Sequence, residues 1–290
     1  MSADLTLDIP LGRLHALRLG TPGALPVLAL HGWLDNAASF VPLARHLRGL
    51  DLVALDLPGH GRSAHLPVGA EYSLATTFHA VLDAADALGW PRFALLGHSM
   101  GAAMASLLAG ACPERVTRLV AIEALGALAD TPERTTARLR EALAAQRALR
   151  AKSLRVFPDL DTAIAARMHV NGLSAPVARL LVERGTRRSD DGRGWVWSSD
   201  PRLTTPTAFR LTEAQIGDVL AHIECPTLAL FADPPPAYFS DALRRERFAR
   251  LRHGELVVLD GSHHLHMEQP EAVAAAIDGF LRAPAAASAA

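Results

Sequence analysis

Short apolar runs alternate with longer amphipathic stretches along most of this 290-residue chain. The runs are Val27–Leu30, Leu52–Leu57, Phe93–Leu96, Leu119–Ile122, Thr227–Phe231 and Leu256–Leu259, while Leu14–Leu19 alternates apolar and polar residues as a half-buried strand does. Continuous apolar strands suit a parallel sheet covered on both faces. Helical patterns lie between them, roughly over 36–48, 73–88, 100–111, 239–251 and 270–282. Strand–helix alternation of this kind predicts an open, mostly parallel α/β sheet.

The rhythm breaks once. From 125 to 208 no strand run appears, and Pro132–Lys152 has the pattern of a charged amphipathic helix with Leu139, Leu143 and Leu149 inward. An insertion of that length is too long for a crossover, so it is expected to form a helical cap over the C-terminal edge of the sheet. The chain then divides into a first core segment, 1–124, the cap, 125–208, a second core segment, 209–282, and a disordered, Ala-rich tail, 283–290.

Composition narrows the function by exclusion. The chain is 50% hydrophobic and 20% charged, the balance of an ordinary globular protein. Twenty-nine basic and thirty acidic residues leave a net charge of −1, so no basic field invites nucleic acid or an anionic membrane. Cys112 and Cys225 form no disulfide framework and no C-x-x-C pair. The first residues lack the basic and apolar regions of a signal peptide, and no stretch approaches the ~20 apolar residues of a membrane helix. A soluble, cytoplasmic protein without nucleic-acid or membrane partners is expected; oligomeric state is not legible.

The sharpest chemical signal is Gly97-His98-Ser99-Met100-Gly101, between the run Phe93–Leu96 and a helical pattern. That is the strand–turn–helix setting of a G-x-S-x-G nucleophile elbow, with Ser99 as nucleophile. A serine hydroxyl needs an adjacent base. Among thirteen histidines, His263 is favoured because Gly261–Glu268 follows the last strand run and can reach the same sheet edge, with His264 as the alternative. No carboxylate or cysteine pattern of metal-site spacing accompanies this histidine cluster, so neither a metal nor a cofactor is expected. An oxyanion hole requires two donors. The amide of Met100 follows the nucleophile, and the amide of Trp33, in His31-Gly32-Trp33-Leu34-Asp35-Asn36, is the natural second.

Taken together, His31-Gly32-Trp33, Asp56-Leu57-Pro58-Gly59-His60-Gly61-Arg62-Ser63, Gly97–Gly101 and Gly261–Glu268 resemble the α/β-hydrolase superfamily, and their wording is most similar to its serine hydrolase-like members. The resemblance covers essentially the whole chain. It implies an α/β-hydrolase fold with a helical cap after the strand that follows the nucleophile helix. It also gives the His-Gly-x loop half of the oxyanion hole and makes Asp56 a loop anchor.

The acid departs from the superfamily's commonest pattern. Many relatives carry it in a G-x-x-D turn after the strand equivalent to Thr227–Phe231, but here that stretch reads Ala232-Asp233-Pro234-Pro235-Pro236. A second carboxylate, Glu123, closes the apolar run Leu119–Ile122. Burying it unpaired is costly unless it holds something, an imidazole or an arginine of the cap. Glu123 is the favoured acid and Asp233 the alternative. The expected activity is hydrolysis of a small, partly hydrophobic ester through an acyl-serine. Thioester, lactone or carbon–carbon bond hydrolysis, or non-catalytic ligand binding on the same fold, are the rivals.

Overall fold

The computed structural model describes residues 2–149 and 155–283. Its centre is an eight-stranded sheet built from β1 (Ala3–Ile9), β2 (Gly12–Arg18), β3 (Leu25–Leu30), β4 (Leu50–Leu55), β5 (Phe93–His98), β6 (Val116–Ile122), β9 (Thr227–Asp233) and β10 (Gly254–Asp260), in the order β1-β2-β4-β3-β5-β6-β9-β10. The six strands from β4 to β10 are parallel, and β1 and β2 add an antiparallel edge.

Each central strand is apolar on both sides because each side meets a different layer. Leu28 and Leu30 face a core shared with α2 (Leu74–Ala87), α3 (Met100–Ala111) and α7 (Glu213–Ala221), through Val81, Leu108, Ile216 and Leu220. Val27 and Ala29 face the opposite core, with α1 (Val41–Ala44) and α10 (Pro270–Arg282), through Leu43, Val273, Ile277 and Leu281. Each fully buried Leu, Val or Ile contributes roughly 1.5–3 kcal/mol. β1 is absent from the apolar runs because only alternate residues face inward: Leu7 and Ile9 are buried while Asp4, Thr6 and Asp8 are exposed. The helix expected over 36–48 is instead one 3₁₀ turn, Ala37–Phe40, running into the short α1.

Between β6 and β9 the chain leaves the sheet. This segment carries α4 (Thr135–Leu149), α5 (Leu160–Asn171) and α6 (Ala175–Gly185), then β7 (Thr186–Arg188) and β8 (Trp195–Trp197), and returns through α7 to the core. Two details differ from the sequence reading. The insertion is not wholly helical, because β7 and β8 pair antiparallel around a turn in which Gly192 takes a φ of 70°. Strands of three residues are too short to register as apolar runs. Nor does α4 bury its leucines: Arg138 and Ala142 are buried, while Leu143 is 55% exposed. Arg138 is held inward by the carboxylate of Asp130. The end of the expected helix at Lys152 lies outside the described residues, as does the tail beyond Ala283.

The insertion has its own small core of Phe157, Ile164, Leu173, Leu181 and Val182, which includes Met267 of α9 (Leu265–Glu268). Polar contacts pin it to the sheet's loops. Arg184 of α6 pairs with the buried carboxylate of Asp56 at 3.0 Å, Asn36 donates to the carbonyl of Leu181 at 2.8 Å, and Ser174 donates twice to Glu268. No helix among the described residues is long and apolar enough to cross a membrane.

Candidate active site

The loops that follow the parallel strands gather at one sheet edge. With the order β4-β3-β5, the chain turns to opposite sides of β3, and the crevice beyond the ends of β3 and β5 is where open α/β sheets bind ligands. Ser99 stands at that point, between β5 and α3. Its φ of 51° and ψ of −117° lie outside the regions open to ordinary residues, at a cost on the order of 1–3 kcal/mol. The flanking glycines make the turn possible. A Cβ on Gly97 would lie 2.4 Å from the Cα of Ala102, and one on Gly101 would lie 1.9 Å from the carbonyl oxygen of Leu30. The Ser99 amide donates to the carbonyl of Ile122 at 2.8 Å, fixing the turn against β6.

His263 sits on the loop after β10 and bridges Ser99 and Glu123. Its Nδ1–H donates to Oε2 of Glu123 at 3.0 Å. A carboxylate only accepts, so in the neutral ring Nε2 keeps its lone pair, and the Ser99 hydroxyl donates to it at 2.8 Å. Glu123 is 2% exposed and follows β6 with a φ of 62°. Its Oε1 accepts from the Ala232 amide at 2.6 Å and from Arg244 at 3.3 Å. That arginine comes from α8 (Asp241–Phe248) in the second core segment, not from the cap. Asp233 ends β9 exposed, and its carbonyl accepts from the Gly261 amide. The carboxylate that reaches His263 is that of Glu123.

The two amides expected to face the serine lie on adjoining backbone. Met100 is the first residue of α3, where amides have no acceptor within the helix. Because Gly101 packs on the Leu30 and His31 carbonyls, the start of α3 abuts the His31–Asn36 loop. The Trp33 indole is not core packing. It is 54% exposed, and its Nε1–H donates to the Leu203 carbonyl at 2.9 Å, spanning from the loop after β3 to the cap. Trp195 and Trp197, in contrast, pack against the cap's own core.

Behind His263 lies a group that sequence reading did not assemble. His264 is buried, and its Nε2–H donates to Oδ2 of Asp35 at 3.2 Å, so it is turned towards Asp35. Oδ1 of Asp35 pairs with Arg167 of α5. Burial alone would raise the Asp35 carboxyl, but the hydrogen bond from His264 and the charges of His264 and Arg167 outweigh it and hold the group well below the usual range. His98 is fully buried and donates from Nε2 to the His263 carbonyl at 2.7 Å. Burial, reinforced by the neighbouring histidines, pushes its pKa well below the ordinary value, so the ring is neutral and Nδ1 is a bare acceptor. Among the described residues, Asp35, His98 and His264 are the group whose ligand atoms, within 4.8 Å of one another, could hold a metal ion. Asp35 is 229 residues from His264 in the chain, so no spacing motif announces the set.

Two further buried histidines brace the same loops. His31 donates from Nδ1 to Gly32 and accepts at Nε2 from the Leu57 amide, a pattern that requires the neutral ring. Desolvation lowers its pKa to about 4, and that of His60, packed edge-on against it, to about 3. Asp56 accepts from the Ala37 and Arg62 amides besides Arg184, so it anchors these loops as the resemblance implied.

Residues 26–270 match the family model described as the alpha/beta hydrolase fold. The chain belongs to the α/β hydrolase family. Among curated α/β hydrolases and their kin, it is 29% identical over 268 residues to a serine hydrolase-like protein of Dictyostelium discoideum, covering 88% of this chain and 74% of that one. It is 30% identical to the lipase LipV of Mycobacterium tuberculosis, over 91% of this chain and 96% of the lipase. The crystal structure of a hypothetical protein from Pseudomonas aeruginosa PAO1 superposes with a TM-score of 0.91 at 41% identity, covering 97% of this chain and 99% of that one. These likenesses support a hydrolase.

Within this α/β hydrolase, sequence reading brought forward Ser99, His263, Glu123, Trp33 and Met100. It overlooked Asp35, His98, Arg167 and Arg244. One usable signal was Asp35 itself, a carboxylate that directly follows Trp33-Leu34 in the loop after β3. Arg167 and Arg244 sit in ordinary charged helices and carry no local signal.

Proposed function

We propose that the protein hydrolyses a small, partly hydrophobic carboxylic ester through an acyl-serine intermediate. The observation that carries this reading is the unbroken hydrogen-bonded chain from Glu123 through His263 to Ser99. The Ser99 Oγ attacks the acyl carbonyl carbon as its proton passes to Nε2 of His263. The carbonyl oxygen becomes an oxyanion held by the Met100 and Trp33 amides. Glu123 keeps Nδ1 protonated, sets the ring orientation and balances the imidazolium as it forms. Collapse of the tetrahedral intermediate breaks the bond to the alcohol oxygen, which takes the proton from Nε2. Water then repeats the sequence on the acyl-serine and releases the acid, and Ser99 regains its proton.

The α3 N-terminus adds its partial positive charge beneath the developing anion. The exposed Trp33 indole beside the proposed oxyanion loop supplies the apolar surface that favours a modest acyl group. The same machinery opens thioesters and lactones, and an acyl-length and leaving-group series would rank them. The test is the initial rate on p-nitrophenyl butyrate for wild type against Ser99→Ala, together with labelling by a fluorophosphonate. Turnover and labelling in the wild type, both abolished in the variant, are expected. A wild type that neither turns over any acyl substrate nor labels points to the non-catalytic binding reading instead.

A further inference from the structure

We propose that Asp35, His98 and His264 form a binding site for one Zn²⁺ ion, with a water as the fourth ligand. The argument begins with the lone pair on His98. Its Nε2–H is committed to the His263 carbonyl at 2.7 Å, which leaves Nδ1 unprotonated in the neutral ring. That nitrogen has no hydrogen-bond partner among the described residues, and the side chain is fully buried. It faces Oδ2 of Asp35 at 3.8 Å, so two acceptors confront each other in a desolvated space. Such an arrangement is costly unless something positive or a proton donor lies between them. The His264 Nε2, 3.2 Å from the same oxygen, completes a triangle with every edge within 4.8 Å.

The chemistry of the set matches zinc. Zn²⁺ takes imidazole nitrogen and carboxylate oxygen at about 2.0–2.2 Å, so ligand atoms of a tetrahedral site lie about 3.3 Å apart. The two measured edges, 3.2 and 3.8 Å, are close to that spacing, and contraction of the side chains by less than ~1.5 Å closes the third. The surroundings resemble the outer shell of a zinc site: a metal-bound imidazole usually donates its other N–H to a backbone carbonyl, as His98 does. A metal-bound carboxylate is usually hydrogen-bonded elsewhere, as Asp35 is to Arg167 through Oδ1, leaving Oδ2 for the ion. Gly32 keeps the space open, since a Cβ there would lie 2.9 Å from Oδ2 of Asp35 and 3.0 Å from Nδ1 of His98. On binding, the ion takes the place of the Nε2 proton of His264, and the ring stays neutral by carrying its proton at Nδ1 instead.

The site adjoins the machinery proposed above without sharing its groups. His98 and His264 are the chain neighbours of Ser99 and His263. A dication there opposes the positive charge that His263 acquires during turnover, so loading should inhibit; that consequence, unlike the binding itself, rests on the acyl-serine reading. Binding is therefore read directly. The apo protein is incubated overnight with Zn²⁺, because buried ligands load only as the loops open, then passed through equilibrium dialysis and metal analysis. One equivalent is expected in wild type and in His263→Gln, and at least about tenfold weaker binding in His264→Gln. Imidazole ¹⁵N spectra of the wild-type protein keep the test independent of any variant: His98 Nδ1 and His264 Nε2 should move to metal-bound shifts while His263 does not. Binding lost with His263→Gln but kept with His264→Gln, unmoved His98 and His264 resonances, or no wild-type binding at millimolar Zn²⁺ each overturns the site and leaves a bridging water as the occupant.

Discussion

Glu123 leaves β6 with a φ of 62°, and from that backbone its carboxylate meets Nδ1 of His263 at 3.0 Å, 140 residues further along the chain. Arg244 and the Ala232 amide occupy the other oxygen, so the group has little freedom to rotate. Glu123→Gln is expected to lower kcat by about 10³–10⁴, because an amide at that position can present its N–H to Nδ1 and stabilise the wrong tautomer. Asp233→Asn, at the exposed end of β9, should change kcat less than about twofold. Steady-state rates on one ester for both variants decide the assignment, and a crippled Asp233→Asn beside an intact Glu123→Gln would reverse it.

The elbow glycines offer a stability test that does not depend on substrate. At Gly101 a methyl group would meet the Leu30 carbonyl oxygen at 1.9 Å, and that backbone cannot yield without displacing β3. Gly101→Ala is expected to destabilise by at least about 2–3 kcal/mol. At Gly279, in α10, a methyl group would have nothing within 4 Å of it, and the backbone is ordinary helix. Gly279→Ala should therefore stabilise by up to ~1 kcal/mol through helix propensity alone. Urea melts of the two proteins should shift in opposite directions.

These contrasts show what a linear sequence exposes. The apolar runs located β3–β6 and β9 because strands buried on both faces must be apolar throughout; β10, the edge strand, shows the same run although none of its residues is fully buried. The G-x-S-x-G turn was legible because its glycines answer to backbone collisions. β7 and β8 escaped because three residues cannot establish a period. Leu143 was misplaced because a charged helix can dock through an arginine: Arg138 is buried against Asp130 while the leucine faces out. Asp35, His98 and His264 are brought together only by the convergence of three strand ends. Chain spacing carries no trace of that.

Acid should unfold the protein earlier than its carboxylates alone would dictate. His31 and His60 titrate near 4 and 3 when folded, against about 6.5 when unfolded. Above pH 6.5 both states hold these rings neutral and no difference arises. Below it the unfolded chain binds protons that the folded protein refuses, so stability falls as pH drops. The loss continues down to about pH 4 for His31 and about pH 3 for His60. Each contributes a slope of up to about 1.4 kcal/mol per pH unit in its window. His60→Gln should flatten the dependence by that amount, read from the free energy of unfolding at pH 7 and pH 5. An unchanged slope would mean that His60 protonates while still folded.

The cap is held to the sheet by a charge pair whose removal should be felt more than its presence. Arg184 is 5% exposed and Asp56 is fully buried, with 3.0 Å between the guanidinium and the carboxylate. Arg184→Met strips the cation but leaves Asp56 buried with, among the described residues, the Ala37 and Arg62 amides as its donors. That uncompensated charge should cost about 3–5 kcal/mol. Arg184→Met combined with Asp56→Leu removes both charges, and the double variant should recover part of the loss through better apolar packing, although the two amides then lack their acceptor. A double-mutant cycle by denaturant unfolding is expected to give a coupling energy above about 1.5 kcal/mol. Because Asp56 also accepts from the Ala37 amide, directly after the His31–Asn36 loop, Asp56→Leu should reduce turnover more than Arg184→Met does, even where their stabilities match. Additive single losses would place the two residues in separate networks and remove the link between cap docking and the loop after β3.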